Sequence, residues 1–356
     1  MKQKTGYLLK NIWKFTSSEG YSHLPDNNIS KKIFFMTFKY FLSLLYVYSM
    51  LSAVSLNAQN IVPNSLYAFD KYMTNSGYAG LNRGKVLVFD IREQWLGLEA
   101  SPKSYSLSFT SPIYELHGSY GVKVASISSG ISKKTGFDLS YNYVFQSVSG
   151  LFSFGMGAGM YSMKLKNDGI ITPGGFYSKG EVDHNDPFLS SLLASNIYLS
   201  KISLFGVYYY NDVEFGIIFD KEINVSDKSV YEVRDILRLN WQYLYRFNQN
   251  ISVKAFGLIY SDFVLWQNDI GVAGLYKNNY LTGFNLRGYS NKTIDSMSFL
   301  IGGNVNYKLR LIYSYDFTIS GLRKVEDGTH EIKIIYNFGK KNIKRSLPPL
   351  INNPRL

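Results

Sequence analysis

The sequence predicts an all-β protein, a transmembrane antiparallel β-barrel of about 14 strands preceded by a cleaved signal peptide. Three observations predict this fold. Aromatic-rich segments alternate in polarity, short and long connections alternate along the chain, and an apolar leader precedes both. Of the 356 residues, 46% are hydrophobic and 16% aromatic, including 30 Tyr and 24 Phe. A spanning strand needs one apolar face toward lipid and one polar face toward the lumen.

The N-terminal region contains an export signal. Residues 36–58 have a charged start at Lys39, an apolar core and Leu56-Asn57-Ala58 as a cleavage site, which is the pattern of a signal peptide. The alternative is an uncleaved membrane helix over 33–58, since that stretch carries one charge. We interpret residues 1–35 as a candidate over-called start. A barrel requires export, which favours the signal peptide.

Residues 59–84 show no strand pattern, and we expect them to form a periplasmic or luminal lead-in to a barrel at 85–338. After them, segments of about ten residues repeat with period two, a length that suits a tilted strand in a bilayer. The predicted strands are 85–94, 103–110, 118–128, 136–146, 151–164, 202–210, 213–220, 235–247, 251–262, 267–276, 280–289, 296–305, 309–320 and 330–338.

The last hairpin shows the alternation most clearly. One face of 309–320 carries Leu309, Leu311, Tyr313, Tyr315, Phe317 and Ile319, and the other carries Arg310, Ile312, Ser314, Asp316, Thr318 and Ser320. A soluble β-sandwich could also alternate in this way, so the pattern alone does not separate the two folds.

The connections separate them better. Those after even-numbered strands are mostly short: 147–150, 211–212, 248–250, 277–279 and 306–308. Those after odd-numbered strands are mostly longer: 95–102, 129–135, 165–201, 221–234 and 321–329. The connections 111–117 and 263–266 are exceptions. Bacterial outer-membrane barrels have short periplasmic turns and long outer loops, so this alternation favours an even-stranded barrel with both termini in the periplasm.

Charge and cysteine content exclude several classes. The net charge is +12, but residues 1–58 hold seven Lys and two acids, and residues 339–356 hold five basic residues and no acid. The basicity therefore lies at the ends, and a nucleic-acid-binding stripe is not expected. We expect 339–356 to be a basic periplasmic tail, either docked on a partner or solvated. The absence of Cys excludes disulfides and Cys-bound metals.

No cofactor, metal or catalytic site is predicted. The four histidines have no metal-ligand spacing: His23, His117, His184 and His330. The cluster of Glu181, Asp183, His184 and Asp186 is interpreted as a solvated loop tip rather than a weak Ca²⁺ site. The chain lacks a Gly-x-Ser-x-Gly elbow. An outer-membrane lipase using a loop Ser or His330 remains an alternative without specific support.

Two segments stand out. The first predicted loop begins with charged and amide side chains followed by a tryptophan, in the segment Arg92-Glu93-Gln94-Trp95-Leu96-Gly97. It continues to Ser101-Pro102-Lys103. In the final hairpin, Asp316 and Glu331 both face the predicted lumen, with Arg310 and Lys333 available to pair with them. We interpret these four residues as a luminal charge network that braces the closing strands.

The same segments resemble a known family. Asn75-Ser76-Gly77-Tyr78-Ala79-Gly80 is similar to its Asn-Pro-Ala-Tyr-Ala-Gly motif, departing at Ser76-Gly77. The first-loop segments resemble its Arg-x-Gln-Trp-x-Gly and Ala-Pro-Lys. Residues 315–322 and 328–332 resemble its Tyr-Asp-Tyr-Thr-Leu-Ser-Gly-Leu and Gly-Ser-His-Glu-Ile. The family is PorP/SprF, outer-membrane proteins of the type IX secretion system in Bacteroidetes. The central 165–201 matches none of its motifs.

The resemblance implies a non-enzymatic barrel that supports protein export, surface display or gliding motility. Its implied partners are a secreted cargo protein at the cell surface, a periplasmic peptidoglycan-binding or lipoprotein component, and outer-membrane lipid, with no nucleic acid. We expect eight residues to bind partner or cargo, or to shape the lumen: Tyr78, Gly80, Arg92, Gln94, Trp95, Gly97, Pro102 and Lys103. The alternative function is a general diffusion porin.

Overall fold

The computed structural model describes residues 64–339 except 83, 148, 167–169, 171, 179–180, 194–195, 227–232 and 290–291. The predicted signal peptide at 36–58, residues 1–35 and the tail beyond residue 339 lie outside this part of the chain. Within it, no helix has both the length and the apolar character needed to cross a bilayer.

The described chain forms a closed antiparallel barrel of 14 strands, in which each barrel strand pairs with the next barrel strand along the chain and β1 pairs with β16 to close the ring. The predicted fold class is confirmed. The barrel strands are β1 Val86–Glu93, β2 Lys103–Ile113, β3 Gly118–Ser129, β4 Ser132–Ser147, β5 Gly150–Leu165, β8 Ile197–Tyr210, β9 Val213–Asn224, β10 Ile236–Arg246, β11 Ile251–Ser261, β12 Trp266–Tyr276, β13 Tyr280–Tyr289, β14 Lys292–Asn304, β15 Leu309–Thr318 and β16 Thr329–Asn337.

Polarity alternates across the barrel wall. Outward side chains are apolar and exposed, such as Leu139, Phe215 and Ile301. Inward side chains include buried polar groups, such as Asn142 and Ser298. Because lipid cannot hydrogen-bond a free strand edge, the closed ring pairs the backbone groups while the outer face meets hydrocarbon.

The connections define two ends. At the short-turn end, where β1 begins and β16 ends, every connection is brief: 114–117, 148–149, 211–212, 247–250, 277–279 and 305–308. The opposite, long-loop end carries 94–102, 130–131, 166–196, 225–235, 262–265, 290–291 and 319–328. In bacterial barrels the short turns face the periplasm and the long loops face the outside.

Two predicted boundaries differ from the structure. The predicted loop 129–135 is wrong, because Ser129 pairs with Ser132 and leaves a two-residue turn. Polar residues can continue a ladder beyond the lipid, where the apolar alternation that marks a strand is no longer required. The predicted connection 165–201 is shortened by β8, which begins at Ile197, and it contains the hairpin β6 Phe176–Ser178 and β7 Glu181–Asp183 and the helix α2 Pro187–Leu193.

Residues 64–81 lie inside the barrel, and we call them the plug. They contain the short helix α1 Lys71–Thr74 and a 3-10 turn at Ser76–Tyr78. Side chains cap both: Asp70 accepts a hydrogen bond from the Met73 amide, and Asn75 accepts one from the Gly77 amide. Residues 66–68 pack into an apolar cluster with inward residues of the wall, including Phe256 of β11. The ring of Tyr67 meets that of Phe256 edge-on at 5.5 Å.

Candidate functional site

The start of the plug is bound to the seam where the barrel closes. The backbone amides of Ser65 and Leu66 donate hydrogen bonds to the Glu331 carboxylate at 2.7 and 3.1 Å. The Ser65 hydroxyl donates to Asp316 at 2.7 Å. Glu331 lies on β16 and Asp316 on β15, near the long-loop end of each strand. One pair of acidic side chains therefore holds the plug and also belongs to the wall.

Two arginines neutralise these acids. Arg92 of β1 donates to Asp316 at 2.7 Å and to Glu331 at 2.9 Å. Arg287 of β13 pairs with Asp269 of β12 at 2.9 Å and lies 3.7 Å from Asp316. All five side chains are buried. Because a buried charge without a partner is costly, the five groups stabilise one arrangement of plug and wall.

Lys333 of β16 extends this network toward the middle of the lumen. Its ammonium lies 3.7 Å from Asp70 of the plug, 3.5 Å from Asp90 of β1 and 3.7 Å from Glu331. Burial raises the pKa of the Asp70 carboxyl, although Lys333 opposes the shift. We call Asp70, Asp90, Arg92, Asp269, Arg287, Asp316, Glu331 and Lys333 the latch network.

The structure brings together three of the four residues of the predicted charge network. Asp316, Glu331 and Lys333 face the lumen and are buried, but Arg310 does not pair with the acids. It donates instead to the carbonyl of Asn278 in a short turn. Six residues of strand separate Arg310 from Asp316, which is about 20 Å at 3.3 Å per residue. Arg92 and Arg287 take its place, and they come from strands distant in sequence.

The second half of the plug is held by the opposite wall. The side-chain amide of Asn75 donates to the backbone carbonyls of Gly206 and Ile217 at 3.2 and 3.1 Å. The Gly77 carbonyl accepts hydrogen bonds from Asn142 of β4 and Ser153 of β5, at 3.0 and 2.6 Å. Side chains of asparagine and serine thus supply the hydrogen bonds that a neighbouring strand would otherwise give to the backbone of the plug.

Tyr78 and Lys71 add two further contacts. Tyr78 is buried, and its hydroxyl accepts a hydrogen bond from Asn240 of β10 at 2.6 Å. Lys71 pairs with Glu214 of β9 at 2.8 Å and lies 5.4 Å from the centre of the Tyr78 ring. The predicted residue Tyr78 is therefore a contact between plug and wall.

Gly80 turns the chain at the end of the plug. Its φ is +65°, and a Cβ at this position would lie 2.1 Å from the Ser119 hydroxyl oxygen. Both the left-handed backbone and the close approach of β3 require glycine. The conformation directs the chain from the plug toward the first strand.

Residues 94–103, in and beside the first loop, lie at the long-loop end and hydrogen-bond to the last loop; we call them the rim. The Gln94 amide donates to the Pro102 carbonyl at 2.9 Å, which closes the loop on itself. The Trp95 amide donates to the Thr329 hydroxyl at 3.1 Å, and the Leu96 amide donates to the Gly328 carbonyl at 2.9 Å. The first loop is thus joined to the last one.

Gly97 has a φ of +89° beside the side chain of Asp327. Lys103 makes an exposed pair with Glu93 at 3.4 Å. The eight candidate binding residues therefore do not form one site. Tyr78 and Gly80 belong to the plug and Arg92 to the latch network, whereas Gln94, Trp95, Gly97, Pro102 and Lys103 belong to the rim.

A second buried charge cluster was not anticipated from the sequence. Asp138 of β4 pairs with Lys201 of β8 at 2.6 Å and with Lys123 of β3 at 2.9 Å, and accepts a hydrogen bond from Tyr161 at 2.5 Å. Asp220 of β9 pairs in turn with the neighbouring Arg238. Each acid sits at an inward position of an alternating strand, which is the signal that could have identified it.

Within the described residues, no group of His, Asp or Glu has an arrangement that could hold a metal ion. His184 is buried, and its backbone carbonyl accepts a hydrogen bond from the Thr172 hydroxyl at 2.5 Å. The lumen is instead occupied by a protein segment bound through amides, hydroxyls and ion pairs. This arrangement can hold a plug in place and can transmit a displacement of the plug to the strands that contact it.

The apolar outer band, the closed ring and the polar lumen define the class: this is a bacterial outer-membrane β-barrel protein with an internal plug. A family model described as "Type IX secretion system membrane protein PorP/SprF" matches residues 56–336. The chain therefore belongs to the PorP/SprF family, a membrane component of that secretion system rather than a member of a known enzyme family. No curated protein matches the chain.

Several solved barrels resemble it at low identity. Omp33 of Acinetobacter baumannii is 6% identical, with a TM-score of 0.43 over 72% of this chain and 98% of that protein. The toluene transporter TodX of P. putida is 11% identical, with a TM-score of 0.39 over 72% and 91% of the two chains. The KdgM porin is 10% identical, with a TM-score of 0.35 over 71% and 99%.

Proposed function

We propose that this protein is a non-enzymatic, plugged barrel that supports export by the type IX secretion system and anchors specific cargo proteins at the cell surface. The observation that carries the proposal is the plug. Residues 64–81 hydrogen-bond to both sides of the wall, from the seam at Glu331 to Asn142 on β4 and Asn240 on β10. Family membership supplies the secretion system.

The plug argues against the alternative, a general diffusion porin. A porin needs an unobstructed bore with an aqueous channel. Here, buried apolar residues of the plug, such as Leu66 and Tyr67, pack on inward wall residues, and the latch network ties the plug to the seam. Permeation would require these contacts to be broken.

The two ends suggest a division of partners. We assign cargo binding to the rim at the long-loop end, where Trp95 and Gly97 are held by the last loop. We assign a periplasmic peptidoglycan-binding or lipoprotein component to the short-turn end. Tyr78, Gly80 and Arg92 position the plug between them. Gliding motility would follow where the cargo is an adhesin that moves at the surface.

The test is a pair of measurements on one preparation. Tagged protein is recovered from detergent-solubilised outer membranes and its partners are identified by mass spectrometry; the same protein is then placed in planar bilayers. We expect one secreted protein to be recovered and the bilayers to be silent. Trp95→Ala should lower cargo recovery several-fold, whereas Trp266→Ala, an exposed residue at the same end, should not. A steady, large conductance without cargo would instead favour the porin.

A further inference from the structure

The mouth of the lumen at the short-turn end is lined by basic side chains. Lys254 is the fourth residue of β11 and Arg310 the second residue of β15, counted from the short-turn end. Both occupy inward positions, since the buried Phe256 and Ile312 follow them at a spacing of two. Two cations therefore point into the lumen where it opens on the periplasm.

Neither cation has a carboxylate partner among the described residues. The Lys254 ammonium lies 5.2 Å from the centre of the Phe69 ring. Arg310 donates one hydrogen bond, to the Asn278 carbonyl at 3.2 Å, and its buried Nε has no hydrogen-bond partner. Lys71 provides the contrast, because Glu214 binds it at 2.8 Å. Lys254 and Arg310 are therefore inward-facing basic side chains at this mouth that form no ion pair with the described residues.

The surroundings increase this positive potential. The short turns and strand ends at this mouth carry Lys85, Lys277 and Lys308; of the two acidic residues in the short turns, Asp212 is paired with Arg246, and Glu115 lies in the 114–117 turn between β2 and β3. The sequence that follows β16, from residue 340 onward, contains five basic side chains and no acidic one. Lipid headgroups lie outside the barrel wall and do not reach inward-facing cations.

We propose that this mouth binds an acidic peptide segment of a periplasmic protein, with Lys254 and Arg310 pairing its carboxylates and Phe69 forming an aromatic floor. The plug closes the mouth from within, so a segment can enter but not pass through. The half-buried cations are less screened by salt than surface charges are, which favours recognition by charge. The identification of the occupant as a periplasmic partner rests on the proposed function.

The test uses a defined probe, fluorescein-labelled hexaglutamate, and fluorescence anisotropy with the purified mature protein in detergent. We expect Lys254→Gln combined with Arg310→Gln to weaken binding at least tenfold. The matched control is Lys133→Gln combined with Lys164→Gln, which removes the same charge from exposed, cross-strand residues near the long-loop end. That control should bind as the wild type does. Each variant is first shown to be folded by its heat-modifiable gel mobility.

Two outcomes would overturn the proposal. One is equal binding by the wild type and the Lys254/Arg310 variant. The other is displacement of hexaglutamate by inorganic phosphate at an equal concentration of charge, which would make the mouth a small-anion site. Conductance and cargo recovery test the proposed function separately. A conducting barrel that still binds hexaglutamate through these two residues would refute the anchor and leave the acidic-peptide site standing.

Discussion

Removing the Arg92 guanidinium is the sharpest test of the latch network. Arg92 is 2% exposed and bridges Asp316 and Glu331 at 2.7 and 2.9 Å. Arg92→Met keeps most of the side-chain volume but leaves two buried carboxylates without their shared cation. Breaking a buried ion pair in this way costs about 3–5 kcal/mol. Arg287 and Lys333 remain 3.7 Å from the two acids, so we expect about 3 kcal/mol.

The matched control is Lys103→Met. Lys103 pairs with Glu93 at 3.4 Å, but the two side chains are 43% and 32% exposed. An exposed pair contributes about 0–1 kcal/mol. The free energy of unfolding is measured by urea titration in detergent, with folded and unfolded barrel separated on a gel without heating. Arg92→Met should also produce intermittent current in planar bilayers, because the plug has lost its attachment to the seam.

A rescue variant separates charge from packing. Adding Asp316→Asn and Glu331→Gln to Arg92→Met removes the two uncompensated charges, and most of the lost stability should return. The reasoning would be refuted if Arg92→Met cost no more than Lys103→Met, since the network would then contribute nothing beyond an exposed pair. It would also be refuted if the rescue variant were less stable than Arg92→Met alone.

Three further predictions concern the plug and the lipid face. Gly80→Ala should lower the folded fraction in a gel-mobility assay, because a left-handed residue with a side chain costs about 1–2 kcal/mol before any clash, whereas Gly84→Ala, with open space at its Cβ, should be neutral. Tyr78→Phe should lower the free energy of unfolding by about 1–3 kcal/mol by leaving a buried amide donor unpaired, measured by urea titration. Leu139→Arg, in the middle of β4, should cost about 2–4 kcal/mol, and Phe145→Arg near its end about 0–1 kcal/mol; equal costs in that titration would contradict the lipid-facing assignment.

The sequence predicted the wall better than it predicted the lumen. A lipid-facing strand must alternate, so Leu311, Phe317 and Ile332 could be assigned to the outer face from period two alone, and all three are exposed there. The turn at residues 130–131 was missed because the ends of β3 and β4 extend with Ser, Lys and Thr, which carry no apolar alternation.

The plug could not be built from sequence pattern because it has no period. Its structure comes from single side chains, such as Asn75 and Ser65, that replace the missing strand partner. Part of the latch network can be predicted from the sequence. Asp316 and Glu331 lie on adjacent strands of one hairpin, so their proximity is expected. Arg287 comes from two strands away, and only the three-dimensional ring brings it to Asp316.

The position of the latch network has a consequence for assembly. Arg92 lies on the first strand, Glu331 on the last, and Ser65 on the plug, and they bind one another directly. The contacts of Glu331 with Arg92 and with Ser65 join residues 239 and 266 apart in sequence, so these two contacts form only after the last strand has reached the first. Because the Glu331 carboxylate accepts hydrogen bonds from both Arg92 and the Ser65 amide, we expect ring closure and plug docking to stabilise each other. A barrel that closed without its plug would lack these hydrogen bonds, and this difference distinguishes an incompletely filled barrel from a finished one.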